Sequence, residues 1–162
     1  MKLLNSKAKF RKCADITIPE IFSRRLATGI RRVDRLVGDG FLPGSIFTLT
    51  GSPGSGKTTY ADSLPATEVF HTDDFMHIGE FKEFPERMID LLKGEAEYIV
   101  EGVQVARMLR TGHRQGTWIP DHVVMMQGGD LDNPMTATVT SALVDWVNES
   151  GREPHKIWRL EK

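Results

Sequence analysis

The stretch Gly51-Ser-Pro-Gly54-Ser-Gly56-Lys57-Thr58, with Thr59 directly behind it, constrains this chain more than any other. It follows "SIFTLT", a short run of the buried-strand kind, and precedes a helical pattern that stops before Pro65. The glycines leave backbone N–H groups open to approach and reach angles that side chains resist. A helix starting at Gly56–Lys57 aims its positive end back at the loop. The unit fits G-x-x-x-x-G-K-[ST], a cradle for nucleotide phosphates. In that reading Gly51, Ser52, Pro53, Gly54, Ser55, Gly56, Lys57, Thr58 and Thr59 line the nucleotide. Lys57 puts a point charge on the β- and γ-phosphates, and the Thr58 hydroxyl ligates Mg²⁺. ATP is the default nucleotide, because no guanine-reading pattern stands out.

Around this unit, short apolar strands alternate with helical patterns. "TGIRRVDRLVG" reads as a helix and "LPGS" as a turn. "EVFHT", "EYIV", "HVVMM" and "HKIWRL" read as further strands. "PERMIDLLKG" and "VQVARMLRTG" read as helices ending at Gly94 and Gly112. "NPMTATVTSALVDWVNESG" is the longest helix, started by Pro134 and stopped by Gly151. Its apolar stripe is Val139, Leu143, Trp146 and Val147, with Asp145 and Glu149 facing away. The expectation is an α/β fold with three layers and a mostly parallel sheet of about five strands, ligands sitting at the strands' carboxyl ends.

At 162 residues, 40% hydrophobic and 27% charged, the chain has the balance of one globular domain, placed at residues 27–162 behind a basic segment 1–26. No apolar run approaches membrane-spanning length, and the basic N-terminus lacks the apolar core of a secretory signal. No membrane partner and a cytoplasmic location are expected. The single cysteine, Cys13, excludes an internal disulfide, and the five scattered histidines suggest no zinc site. Charge is uneven: residues 1–35 hold ten of the 21 Lys and Arg against three acids. That is either a solvated tail or an arm for a polyanion such as DNA.

Two resemblances overlap at the loop. From Ala27 to Thr59 the chain resembles the lead-in and phosphate loop of RecA-like ATPases of the RadA type. Thr28-Gly29, Val33-Asp34, Gly38-Asp39-Gly40 and Pro43-Gly44 carry it. Downstream, "VFHTDDF" and "YIVEGVQV" resemble small phosphate-loop kinases of the uridine kinase and polynucleotide kinase groups. The 44-residue spacing from Lys57 to Glu101 resembles the kinases too.

The kinase resemblance implies a catalytic carboxylate at Asp73, as base or acceptor-orienting group and as a magnesium neighbour, with Asp74 close behind. Strand alternation would put only one of the two on the site. The alternative role is a cap on the next segment. Glu101, ending a hydrophobic strand, would hold Mg²⁺ directly or through water. Arg107 and Arg110 share a helix face, with Arg114 beyond Gly112; they would spread transferred charge or hold an acidic substrate, or else form a solvated basic face. Small kinases close an arginine-bearing lid before the last helix, whereas "QGGDLDNPMTATVTSALVDW" has no Arg or Lys. Asp130 and Asp132 in that stretch could touch a cation, but a turn before a helix N-terminus explains them better. Phe75, Phe81 and Phe84 would line an acceptor pocket or fill a satellite core. The leading expectation is a Mg²⁺–ATP phosphotransferase acting on a hydroxyl of a small molecule or nucleoside. Its rivals are a RecA-like ATPase acting with DNA or a protein, and a nucleotide-binding module without turnover.

Overall fold

The computed structural model describes residues 44–64 and 68–158, together with Arg25, Ala27, Asp34 and Leu42. The expected helix at "TGIRRVDRLVG" and the basic segment 1–26 therefore lie outside the described residues, apart from Arg25 and Asp34.

Five strands form one parallel sheet: β1 (Ile46–Gly51), β2 (Val69–His71), β3 (Tyr98–Glu101), β4 (His122–Gln127) and β5 (His155–Trp158). Their order is β2-β3-β1-β4-β5, and every pairing is parallel. Helix α1 (Lys57–Asp62) follows β1, α2 (Phe84–Leu91) and then β3 come next, α3 (Val105–Gln115) follows β3, and α4 (Pro134–Ser150) follows β4. Parallel strands need such crossovers, and helices then cover both faces.

Period-two alternation divides the core. Tyr98 and Val100 of β3 pack with Phe84, Met88, Met108, Leu109, Val139, Leu143 and Trp146 of α2, α3 and α4. Ile99, between them, points to the other face with Phe47, Leu49, Tyr60, Ala61 and Val124 under α1. The expected three-layer α/β fold is thus observed. Each fully buried large apolar side chain, Leu49, Met88 and Leu109 among them, contributes about 1.5–3 kcal/mol. The buried Trp118 indole N–H donates to the Tyr98 hydroxyl at 2.7 Å, which satisfies both polar tips inside the larger core.

Two sequence expectations need correction. Helix α3 does not stop at Gly112; it runs on to Gln115, capped by Gly116 in a left-handed conformation. Gly112 lies inside because Trp118 presses there: a Cβ would sit 2.7 Å from the Trp118 carbonyl oxygen. Nor do Asp145 and Glu149 face away from neighbours. Asp145 accepts from Arg110 at 2.8 Å, and Glu149 accepts from the Arg114 Nε at 2.8 Å. These acids staple α4 to α3. The ends of α4 are as expected, with the Asn133 side chain accepting from the Met135 N–H and Gly151 closing the last turn.

At the opposite rim His122 packs against Phe47, ring centres 6.4 Å apart. Burial holds its pKa below the ordinary 6.5, although Asp121 pulls the other way. A depressed histidine pKa means that the unfolded chain takes up the proton first, so this group's stabilisation is lost as pH falls below 6.5. Urea midpoints measured between about pH 7.5 and 5.5 should therefore fall more steeply for wild type than for His122→Gln. Parallel slopes would contradict this.

Candidate nucleotide site

Strand β1 delivers the chain at its carboxyl edge into the loop, and α1 begins at Lys57. The loop is braced from below by residues 128–130, where the Asp130 N–H donates to the Pro53 carbonyl at 2.9 Å. That contact needs Gly129: a Cβ there would stand 2.5 Å from the Pro53 carbonyl oxygen and 2.8 Å from the Ser55 nitrogen. Asp130 also holds the turn before α4, accepting from the Asp132 N–H on its side chain and from the Thr136 hydroxyl on its carbonyl. The turn role expected for Asp130 is observed.

The Lys57 side chain is buried, 7% exposed, with its ammonium donating to the Ser52 carbonyl at 3.0 Å. Burial lowers its pKa, opposed by the charges of Glu101 and then Asp73. An ammonium held this way, with little water around it, acts strongly on an anion brought into the loop. Thr59 is exposed in the first turn of α1.

Glu101 ends β3 beside β1, 4% exposed. Its Oε1 accepts from the Thr58 hydroxyl at 3.0 Å and lies 2.8 Å from the His71 Nδ1. Its Oε2 is buried without a hydrogen-bond partner, as are the hydroxyls of Thr50, Ser55 and Thr72. A buried carboxylate oxygen without a partner costs free energy unless a ligand satisfies it. Thr58 and Glu101 thus offer a hydroxyl and a carboxylate side by side, the hard oxygen donors that Mg²⁺ takes. Among the described residues no group of three or more His, Cys, Asp or Glu forms a metal cage. A magnesium ion bound with a nucleotide needs none, because phosphates and waters complete its shell.

Residue composition alone did not single out His71. Its Nε2 lies 3.4 Å from Asp62 and its Nδ1 faces Glu101, so the ring bridges α1 and β3. Burial lowers its pKa, but the hydrogen bond to Glu101 and the charges of Glu101, Asp62 and Asp74 outweigh that and raise it. The ring thereby fixes the Glu101 carboxylate against Thr58.

Asp73 and Asp74 are not on a strand. They sit in a short 3₁₀ turn, Thr72–Phe75, directly after β2, so strand alternation does not choose between them. The turn separates them differently: Asp73 acts on Lys57, and Asp74 on His71. The N-cap position of that turn is His71, which makes no side-chain cap bond. Arg107 and Arg110 have other partners than the loop. Arg107 donates to the Gln104 side chain and the Phe81 carbonyl, both at 2.8 Å, while Arg110 holds Asp145. Phe84 is core, Phe75 packs on it, and Phe81 is 48% exposed beneath Arg107.

No protein-family model matches the chain. A stretch of it is similar to curated proteins. The DNA repair protein RadA of Escherichia coli K12 is 42% identical over 52 residues, 32% of this chain and 11% of that protein. The RadA of Salmonella typhimurium LT2 is 40% identical over 52 residues, with the same shares. The chain thus spans about a tenth of the length of the curated relatives it matches. Among solved structures, a KaiC-like protein from Pyrococcus horikoshii OT3 aligns over 83% of this chain and 69% of its own, at 21% identity and a TM-score of 0.30. Among the described residues no helix is long and apolar enough to cross a membrane.

The RadA likeness agrees with the RecA-like resemblance. The kinase resemblance downstream of the loop has no counterpart among these relatives.

Proposed function

We propose that this chain binds Mg²⁺–ATP on residues 51–59 and hydrolyses it, as a RecA-like ATPase. The observation that carries the reading is the Thr58 hydroxyl donating to Glu101 at 3.0 Å, beside the buried Lys57. The 52-residue likeness to RadA supports hydrolysis over transfer. The loop N–H groups and Lys57 would hold the phosphates. Thr58 and Glu101 would hold Mg²⁺, which when bound neutralises charge growing on the β–γ bridge. His71 keeps Glu101 in place through its Nδ1. Asp73, whose charge reaches Lys57, would orient the attacking water.

The matched relatives are named for DNA repair, and ten of the 21 Lys and Arg lie within residues 1–35. Single- or double-stranded DNA is therefore the proposed partner, through that basic N-terminal segment.

A second reading has observations of its own. In it, Asp73 would orient a hydroxyl of a small molecule or nucleoside as acceptor, and the γ-phosphoryl would move there. A carboxylate near the phosphate-binding lysine suits that role, and β3 lies directly beside β1, the compact arrangement that a 44-residue spacing favours.

Following γ-labelled ATP with Mg²⁺, with and without DNA and with pooled nucleosides, separates the two. Hydrolysis predicts label as free phosphate, faster with DNA at low salt, and reduced about 100-fold or more in Asp73→Asn. Label on an organic acceptor would replace hydrolysis by transfer. Label left on ATP under all conditions would remove both.

A further inference from the structure

Helices α3 and α4 border a cavity of about 340 Å³, open to solvent and lined by Arg107, Arg110, Ala137, Thr138, Ser141 and Ala142. Two guanidinium groups share it, and among the described residues only one has a counter-charge: Arg110 holds Asp145 at 2.8 Å. The partners of Arg107 are neutral, namely the Gln104 side chain, the Phe81 carbonyl and the Phe81 ring, 3.9 Å from the guanidinium carbon. Gln104 is 1% exposed, so Arg107 is anchored rather than trailing in solvent. Burial and the neighbouring Arg110 both lower its pKa, the sign of a cation short of negative charge. Across the cavity, the hydroxyl-bearing residues Thr138 and Ser141 line it from the first two turns of α4.

We infer that this cavity binds a small phosphate monoester as a second ligand, held by Arg107 and Arg110 with the hydroxyls of Thr138 and Ser141. A phosphate dianion supplies the charge that Arg107 lacks and accepts from a planar guanidinium and hydroxyls together. The volume is at the small end of ligand pockets, enough for a phosphate group and a compact body. The position gives the ligand a purpose. Helix α3 starts four residues after Glu101, and α4 follows the 128–130 segment that braces the loop. Both walls thus rise from the sheet edge that carries the nucleotide site. Under the nucleotide reading above, on which this inference rests, the second ligand is an activator of ATP turnover.

The test is calorimetric titration of AMP, glucose 6-phosphate and inorganic phosphate into the full chain. It is run with the phosphate loop filled by Mg²⁺ and a non-hydrolysable ATP analogue, and again without them. Wild type should bind at least one of the three. Arg107→Gln should weaken that binding about tenfold or more, the loss expected for one charge-assisted contact. Ser141→Asp, at an exposed position that tolerates substitution, should abolish it by placing an acid in the cavity. Binding of AMP alone identifies a nucleoside monophosphate, and binding of all three identifies the phosphate group; both sustain the inference. Undetectable binding of all three to wild type overturns it, as does unchanged affinity in both variants. If the ATP analogue fails to bind, the loop reading falls, while the titrations without it still decide for the cavity.

Discussion

Lys57→Ala is expected to leave a folded protein that no longer holds ATP usefully. The ammonium is buried, and burial already depresses its pKa, so removing it relieves a desolvated charge and costs little stability. It donates to the Ser52 carbonyl at 3.0 Å and is the one loop side chain that would meet the terminal phosphates as a full positive charge. A charge-assisted hydrogen bond is worth about 1.5–3 kcal/mol. At about 1.4 kcal/mol per factor of ten, affinity should fall about 10- to 100-fold. Turnover should fall further, by about 100-fold or more, because charge on the transferring group grows in the transition state. Equilibrium binding of a fluorescent ATP analogue, with circular dichroism as the control for folding, reads the effect. Wild-type affinity in a folded variant would remove Lys57 from the site.

Gly102→Ala is expected to damage both the fold and the site. Gly102 follows Glu101 with φ of +136°, a conformation that side chains resist. A Cβ there would stand 1.8 Å from the Thr72 hydroxyl and 3.0 Å from the Thr72 Cβ. Thr72 is fully buried. Overpacking and backbone strain each cost about 1–3 kcal/mol, so the variant should lose about 2–5 kcal/mol. At this chain length that is a drop in melting temperature of about 5–15 °C. Any relief pushes the end of β3 away from the turn after β2, and Glu101 with it, so the contact to Thr58 should open. Adding Thr72→Ala removes the hydroxyl but leaves the φ strain, and should restore only part of the melting temperature. Wild-type melting of Gly102→Ala alone would show that the ends of β2 and β3 are not locked together.

The phosphate loop and the strand–helix alternation could be read from the residues because both are local. Gly51 to Thr58 declares itself by spacing, and Pro134 and Gly151 bracket α4 within one segment. What escaped depends on contacts between distant residues. Gly112 looks like a helix stop in isolation, yet it is interior because Trp118 folds back onto it. Asp145 and Glu149 look like a solvated face until α3 brings Arg110 and Arg114 alongside, 35 residues away in each case. His71 meets Glu101 across 30 residues, and nothing near it in sequence marks the encounter. Gly129 carries no chemical group, so only the pressing of its backbone on the loop reveals its role. Asp73 and Asp74 were legible as a pair, but their separation into a lysine neighbour and a histidine neighbour follows from a 3₁₀ turn that strand logic did not anticipate.

The central claim is that loop, Lys57, Thr58 and Glu101 form one magnesium-dependent nucleotide site. Calorimetric titration of ATP into the full chain tests it most directly, with magnesium present, with EDTA in its place, and with Glu101→Gln. Saturable one-to-one binding that weakens about tenfold or more without magnesium, and that responds less to magnesium in Glu101→Gln, is the expected result. No binding, or binding indifferent to both magnesium and Glu101, would contradict it.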